Sequence, residues 1–247
     1  MIKKTLKSTA ILAVWVLIWQ VIAIIINDNF LIPTPLETLK ALFALCRTGQ
    51  FYLAVFKSIF RIIIGFLLGV TVGFLGGIAA NKFPFFNDIT KPVMQVIRAV
   101  PVASFIILAF YSFESNEMPI FIAFLMVLPM IWSTTQTALS GIDDKFLELG
   151  KVYKLSFWKI FFKIKLPFIM PTLLTSCLTA LGFAWKSGIA AEVICRPQIA
   201  LGTLLNDNKN YYDMPAVFAI TVVVALLSIV LEIVLKQVVR RVSNAKN

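Results

Sequence analysis

Histidine, the commonest general base and the commonest metal ligand, is absent from all 247 residues. No Ser/His/Asp or Cys/His nucleophile set can therefore form. The three cysteines, Cys46, Cys177 and Cys195, are scattered and odd in number, so no disulfide framework is implied. No G-x-x-x-x-G-K-[ST] stretch occurs, and the recurring glycines lie inside an apolar run and not in a phosphate-cradling loop. Carboxylates that could relay protons or hold a coupling ion within a bilayer are almost missing, Glu232 standing near the end of its run. These residues predict no catalysis, no metal and no cofactor bound by this chain. If it moves a solute uphill, another protein must supply the energy. Three further charges fall close to apolar runs. Arg98 is expected about one turn inside the membrane boundary, snorkelling to the headgroups, with a pore-lining role as the alternative, and Lys186 and Glu192 are expected to be solvated at the opposite interface, with substrate contact as the alternative.

The elements that must carry these residues are read from the apolar pattern. The chain is 60% hydrophobic and 14% charged, with a mean hydropathy of +0.90, where a soluble domain carries roughly a quarter charged residues. A net charge of +11 could suit nucleic acid or an anionic surface. The lysines sit at the ends of apolar runs, which predicts a membrane protein and no nucleic-acid partner. Six runs approach the ~20 residues a bilayer core requires, at 9–26, 62–81, 92–113, 118–142, 166–185 and 214–235. The prediction is an all-α, polytopic fold of about six transmembrane helices, one membrane domain over residues 1–247. The first run is expected to be a retained helix, because the residues after it offer no small-x-small cleavage pattern. Most Lys and Arg residues fall on the side of the N-terminus, so both termini are expected to be cytoplasmic. Between the first two runs, Leu36, Leu39, Leu42 and Phe43 share one face after a Pro-Thr-Pro start, predicting a short helix on the membrane surface.

Three local patterns stand out. Gly65, Gly69, Gly73 and Gly77 recur every fourth residue, a bare ridge on which a second helix can pack to backbone contact. Pro101 should kink or loosen the third helix. Residues 147–167, "LELGKVYKLSFWKIFFKIKLP", crowd lysines into the middle of an oily chain. They follow an acidic start, predict a short helix over 143–153 with Phe146, Leu149, Val152 and Tyr153 roughly on one side, and offer Ser156 as the N-cap of a second helix. An apolar face outside the membrane needs either the membrane surface or a groove on a partner.

Glu148 followed by a turn and then Ile164-Lys165-Leu166-Pro167 resembles the EAA loop of permease subunits of ATP-binding-cassette importers. The stretches "FLIPTPLETLKAL", "SIFRIIIGFLLGVTVGFLGG" and "AWKSGIAAEVI" look like the nitrate/sulfonate/taurine branch of that family, in order along nearly the whole chain. The resemblance implies a type I importer permease fold in a bacterial inner membrane. It implies a loop at about 140–166 that serves as the coupling helix for two ATPase subunits, which use the ATP, together with a second permease chain and an extracytoplasmic substrate-binding protein. On this likeness Asp144, Phe146, Leu147, Glu148, Gly150, Val152, Tyr153, Lys154, Leu155 and Ser156 dock the ATPase. Pro167 stiffens the junction, and Pro101, Ser104 and Trp185 belong to the translocation path. The implied substrate is a small anion of the nitrate, sulfonate or taurine type, or a vitamin precursor. The sequence departs from the motif at Leu149 and Gly150, usually alanines, and at Lys154, usually glycine. A left-handed turn at Lys154 would cost about 1 kcal/mol relative to glycine. A self-sufficient channel or secondary transporter is the competing class; it would show an inverted repeat and intramembrane charge pairs.

Overall fold

The computed structural model describes residues 2–28 and 30–244, without the side chains of 2–9, 12, 147, 149, 151 and 242–244. Among these residues every regular element is helical. They run α1 (Ile2–Ile26), α2 (Pro35–Cys46), α3 (Gly49–Lys82), α4 (Pro84–Ala99), α5 (Val102–Ala109), α6 (Met118–Ser140), α7 (Asp144–Val152), α8 (Phe157–Ile160), α9 (Leu166–Cys195), α10 (Leu201–Asn210) and α11 (Met214–Asn244), with a π-type turn, Phe161–Lys165, between α8 and α9. The end of the bundle bearing α7 and α8 is called the loop end below, and the other the far end.

Four helical stretches are long and apolar enough to cross a membrane: Gly49–Lys82, Met118–Ser140, Phe157–Cys195 and Met214–Arg241. The second, fourth, fifth and sixth apolar runs lie in them. The first lies in α1, Ile2–Ile26, whose described apolar part is Ala13–Ile26. The third run is not one span. It is broken into α4 and α5, bent by 105°. Proline disfavours the helical region for the residue before it, and Val100 accordingly turns extended (φ −80°, ψ 132°). Pro101 has no N–H with which to resume the ladder. The outcome is a break sharper than the kink that a proline alone leads one to expect. The fifth helix is also longer than its charge-free run, continuing past Lys186 to Cys195.

The core is built where α3, α6 and α9 meet, with Ile62, Phe66, Val127, Ile131, Ala180, Ala184 and Trp185 buried together. The glycine ridge of α3 lies against α6. A Cβ added at Gly65 would overlap the Ile120 carbonyl; at Gly69 it would come 2.6 Å from Val127 Cβ, at Gly73 2.9 Å from the Leu128 oxygen, and at Gly77 2.7 Å from the Trp132 oxygen. Two backbones at this distance gain dispersion contact that lipid cannot replace. That contact leaves α6 as a fixed wall. The surface helix predicted after Pro-Thr-Pro is α2, and its N-terminus is closed by a capping box: the Glu37 amide donates to Thr34 Oγ1 (3.3 Å) and the Thr34 amide to the Glu37 carboxylate (2.9 Å).

Candidate functional site: a loop-end hairpin, a central cavity and a far-end charge cluster

The loop end is a helical hairpin. The Asp143 carboxylate accepts from the Lys145 amide (2.9 Å) and starts α7. The helix ends where the Leu155 amide donates to the Gly150 carbonyl (3.0 Å) across Lys154, whose φ is +49°. That six-to-one bond with a left-handed residue is a Schellman closure, at a position where glycine is the usual occupant. Lys154 thus adopts the left-handed turn the motif's glycine would take. Gly150 is buried because α7 folds back on the second arm: a Cβ there would meet Ile160 Cγ1 at 3.1 Å and Ile164 Cδ1 at 3.3 Å. Ser156 occupies the N-cap position of α8, but its hydroxyl accepts no capping bond. The outward side carries exposed Asp144, Phe146, Glu148, Val152, Tyr153 and Lys154. Phe146 is 52%, Val152 75% and Tyr153 73% exposed. The side chain of Leu147 lies outside the described residues, and Leu155 is half-buried.

From the hairpin the chain runs into the bundle without a loop. In the π-type turn the Leu166 amide reaches back to the Phe161 carbonyl, and Pro167 follows directly in the first turn of α9, where, inside a helix that continues from α8, its missing N–H removes one ladder bond. Lys82 Nζ lies 4.7 Å from the centre of the Phe157 ring, tying the loop end of α3 to α8.

The broken third run encloses space with α6. Asn87, Lys91 and Gln95 recur every fourth residue of α4, forming a polar stripe with Arg98. Phe85, Ile89, Val93 and Val96 are exposed on the other side of α4. The polar stripe lines a cavity of about 280 Å³ with Ser133 and Gln136 of α6, and Gln136 Nε2 donates to Asn87 Oδ1 (2.7 Å). A second cavity of about 580 Å³ lies beyond the bend, between Arg98, Pro101, Met130, Ser133, Thr134 and Phe183 of α9. Arg98 belongs to both. Its Nη2 donates to the Pro129 carbonyl (2.6 Å), and Pro129 stands midway along α6, about 16 Å from either end at 1.5 Å per residue. The hydrogen bond thus ties Arg98 to the middle of α6 and not to a helix end, where snorkelling would carry it. The apolar run starts at Pro92, but α4 starts at Pro84, and its extra turns carry Arg98 to mid-depth against the α6 wall.

Of the three residues expected on a path, Pro101 lines the larger cavity. Ser104 stands at the start of α5, outside the lining of both cavities, with its amide on the Pro101 carbonyl (3.0 Å). Trp185 is buried in the core instead, its Nε1 donating to the Val224 carbonyl of α11 (3.0 Å).

At the far end the structure overturns the expectation of a solvated Glu192. Its carboxylate is fully buried. It accepts from Ser58 Oγ (2.7 Å) and the Gly202 amide (3.2 Å), with Arg61 Nη1 at 3.6 Å. Arg61, itself 8% exposed, also donates to the Ile199 carbonyl (3.0 Å) and to Asn116 Oδ1 (2.6 Å). Gly202 permits this: a Cβ there would overlap Glu192 Cβ, so only glycine lets the start of α10 close on the carboxylate. Lys186 remains exposed. Sequence reading missed the partners because Ser58 and Arg61 lie on α3, Asn116 before α6 and Gly202 at the start of α10, and no local spacing joins these three segments to Glu192.

Comparison with known proteins agrees with this architecture. The chain is 28% identical over 214 residues to a probable ABC transporter permease protein of Brucella melitensis, covering 86% of each. It is 23% identical over 240 residues to a nitrate import permease protein of Synechocystis sp., covering 93% of this chain and 86% of that one. To a bicarbonate transport system permease protein of Synechocystis sp. it is 31% identical over 176 residues, 69% of this chain and 62% of the relative. The fold matches the permease-type chain of an inward-facing MetNI methionine ABC transporter structure with a TM-score of 0.60 at 17% identity, over 77% of this chain and 93% of that one. Residues 65–244, from the first glycine of the α3 ridge to the end of α11, match the family described as the binding-protein-dependent transport system inner membrane component. A helical membrane bundle with a hairpin standing out of it, matched over most of its length, thus belongs to that family, the permease subunits of type I ABC importers.

Proposed function

We propose that this chain is the permease of an importer for a small anion, paired with a second permease chain, fed by an extracytoplasmic substrate-binding protein and driven by two ATPase subunits. The hairpin is the docking element. The observation that carries this reading is the exposure of three apolar side chains, Phe146, Val152 and Tyr153, on a hairpin whose α7 is held through Gly150 to Ile160 and Ile164. Exposed apolar side chains interspersed with the charged Asp144, Glu148 and Lys154 fit a groove on a soluble partner. Because α8, the π-type turn and α9 are continuous, a push on the hairpin moves α9, and with it Phe183 at the cavity wall. Closure of the ATPase pair on ATP would thereby open the cavity toward the binding protein. A cytoplasmic side of a bacterial inner membrane for both termini and the hairpin is supported by the lysine-rich loop. Small-anion cargo is supported by the named cargo of two relatives, nitrate and bicarbonate, and by the basic residues of the cavities.

Co-purification of the detergent-solubilised protein with its ATPase tests the docking role. Glu148→Lys is expected to abolish association or ATPase coupling while the bundle stays folded, and Glu148→Ala to weaken it. Undiminished association in both variants would return the hairpin to the membrane surface and move the channel reading forward.

A further inference from the structure

Arg98 is an exposed cation tied by its hydrogen bond to the middle of α6, a helix long enough to cross a membrane, where a charge is costly. It forms no ion pair among the described residues, and its one hydrogen bond, to the Pro129 carbonyl, uses a single donor of the five on a guanidinium. No carboxylate lines either adjoining cavity. The other charged group there is Lys91, two turns earlier on the same stripe of α4. Asp88, the nearest acidic residue of α4, lines neither. The hydroxyls of Ser133 and Thr134 stand on the α6 side. A carbonyl bond alone would fix the side chain, but it leaves the charge without a counter-ion.

We propose that Arg98 is the anion-selecting group of the translocation path. Its guanidinium, held by Pro129 at the waist between the two cavities, binds a small oxyanion with its free donors and hands it toward Lys91. A planar fork of N–H groups matches two oxygens of a sulfonate, nitrate or carboxylate at once, which a lysine cannot do. The inference rests on the importer reading, since it assigns the selecting step within that same path.

Charge selectivity of the cavity is measurable without knowing the natural cargo. In protein whose Cys46, Cys177 and Cys195 are replaced by alanine, a cysteine at Ser133 reports the field beside Arg98. The probes are an anionic methanethiosulfonate (ethylsulfonate) and a cationic one (ethyltrimethylammonium), in the assembled transporter. The anionic reagent is expected to react faster, by about tenfold after correction for free-thiol rates, as one unit charge a few ångströms away dictates. Arg98→Gln should erase that ratio and Arg98→Lys should retain most of it. An unchanged ratio in Arg98→Gln overturns the proposal, as does a Ser133→Cys thiol inert to both reagents, which would mean that the guanidinium faces no water. Should Arg98→Gln fail to fold, a cysteine at Met130 in protein keeping Arg98 serves instead. Methanesulfonate should slow its reaction with neutral methyl methanethiosulfonate, and choline at equal ionic strength should not; equal effects of the two salts sink the idea. ATP hydrolysis stimulated by the binding protein, read in the same preparations, tests the importer reading separately.

Discussion

Two arginines mark the ends of what charge can do in this bundle. Arg61 is almost sealed and has three partners, Glu192, the Ile199 carbonyl and Asn116. Arg98 stands at mid-depth with one carbonyl and open space. The first joins α3 to α9, to the segment entering α10 and to the turn before α6. It is architecture. The second is kept uncompensated beside a cavity, where a bound anion is its natural complement. A sealed and paired charge holds segments together, whereas an unpaired one beside open space is left for a ligand.

The sharpest way to break the comparison is to remove one member of the sealed pair. Glu192→Ala leaves Arg61 buried with only neutral partners and strands Ser58 Oγ and the Gly202 amide, so it is expected to cost about 3–5 kcal/mol. Thermal unfolding in detergent would show the loss. A double replacement, Arg61→Met with Glu192→Leu, removes both charges and is expected to cost less than the single change, because burying two apolar groups carries no stranded charge. A double variant as unstable as the sum of the singles would mean that the hydrogen bonds, and not the charge pairing, hold the far end.

Arg98→Gln probes the other half and should have the opposite profile. Stability should fall by no more than about 1.5 kcal/mol, the worth of one charge-assisted hydrogen bond at an open site. Uptake of an anionic cargo by reconstituted transporter should fall much further than stability does. A loss of stability as large as that of Glu192→Ala would make Arg98 a structural clip like Arg61.

The fate of these two residues shows what a sequence displays. Apolar runs and the four-residue glycine spacing are local, so α3, α6, α9 and α11 were legible, and so was the short helix over 143–153. Length alone misled at both ends of the charge-free windows. Glu192 looked like a boundary residue because α9 outlasts its charge-free run, and Arg98 looked like one because α4 begins eight residues before its run. Burial and depth are set by partners distant in sequence, and Ser58, Asn116 and Pro129 carry no label that pairs them with 192, 61 and 98. The stripe Asn87, Lys91, Gln95 was the one local signal available for the cavity, since polar residues every fourth position beside an apolar helix face mark a wetted wall.

The loop end carries a milder strain than either arginine, and it sets the scale for the smallest effect. Lys154 holds φ at +49° to complete the turn that ends α7, a conformation that costs a side chain with a Cβ about 1 kcal/mol over glycine. Its ammonium is exposed and has no salt-bridge partner among the described residues, so removing it sacrifices little within the chain. Lys154→Gly is therefore expected to stabilise the hairpin by up to about 1 kcal/mol, read as slower amide exchange at Leu155, whose N–H bonds to Gly150 across the turn. Global melting should scarcely move, because the far end and the glycine ridge do not depend on α7. If the variant exchanges faster instead, the lysine is stabilising the turn through its charge near the helix C-terminus. If exchange slows but ATPase coupling drops, the same charge belongs to the docking face, and the strain is the cost of presenting it there.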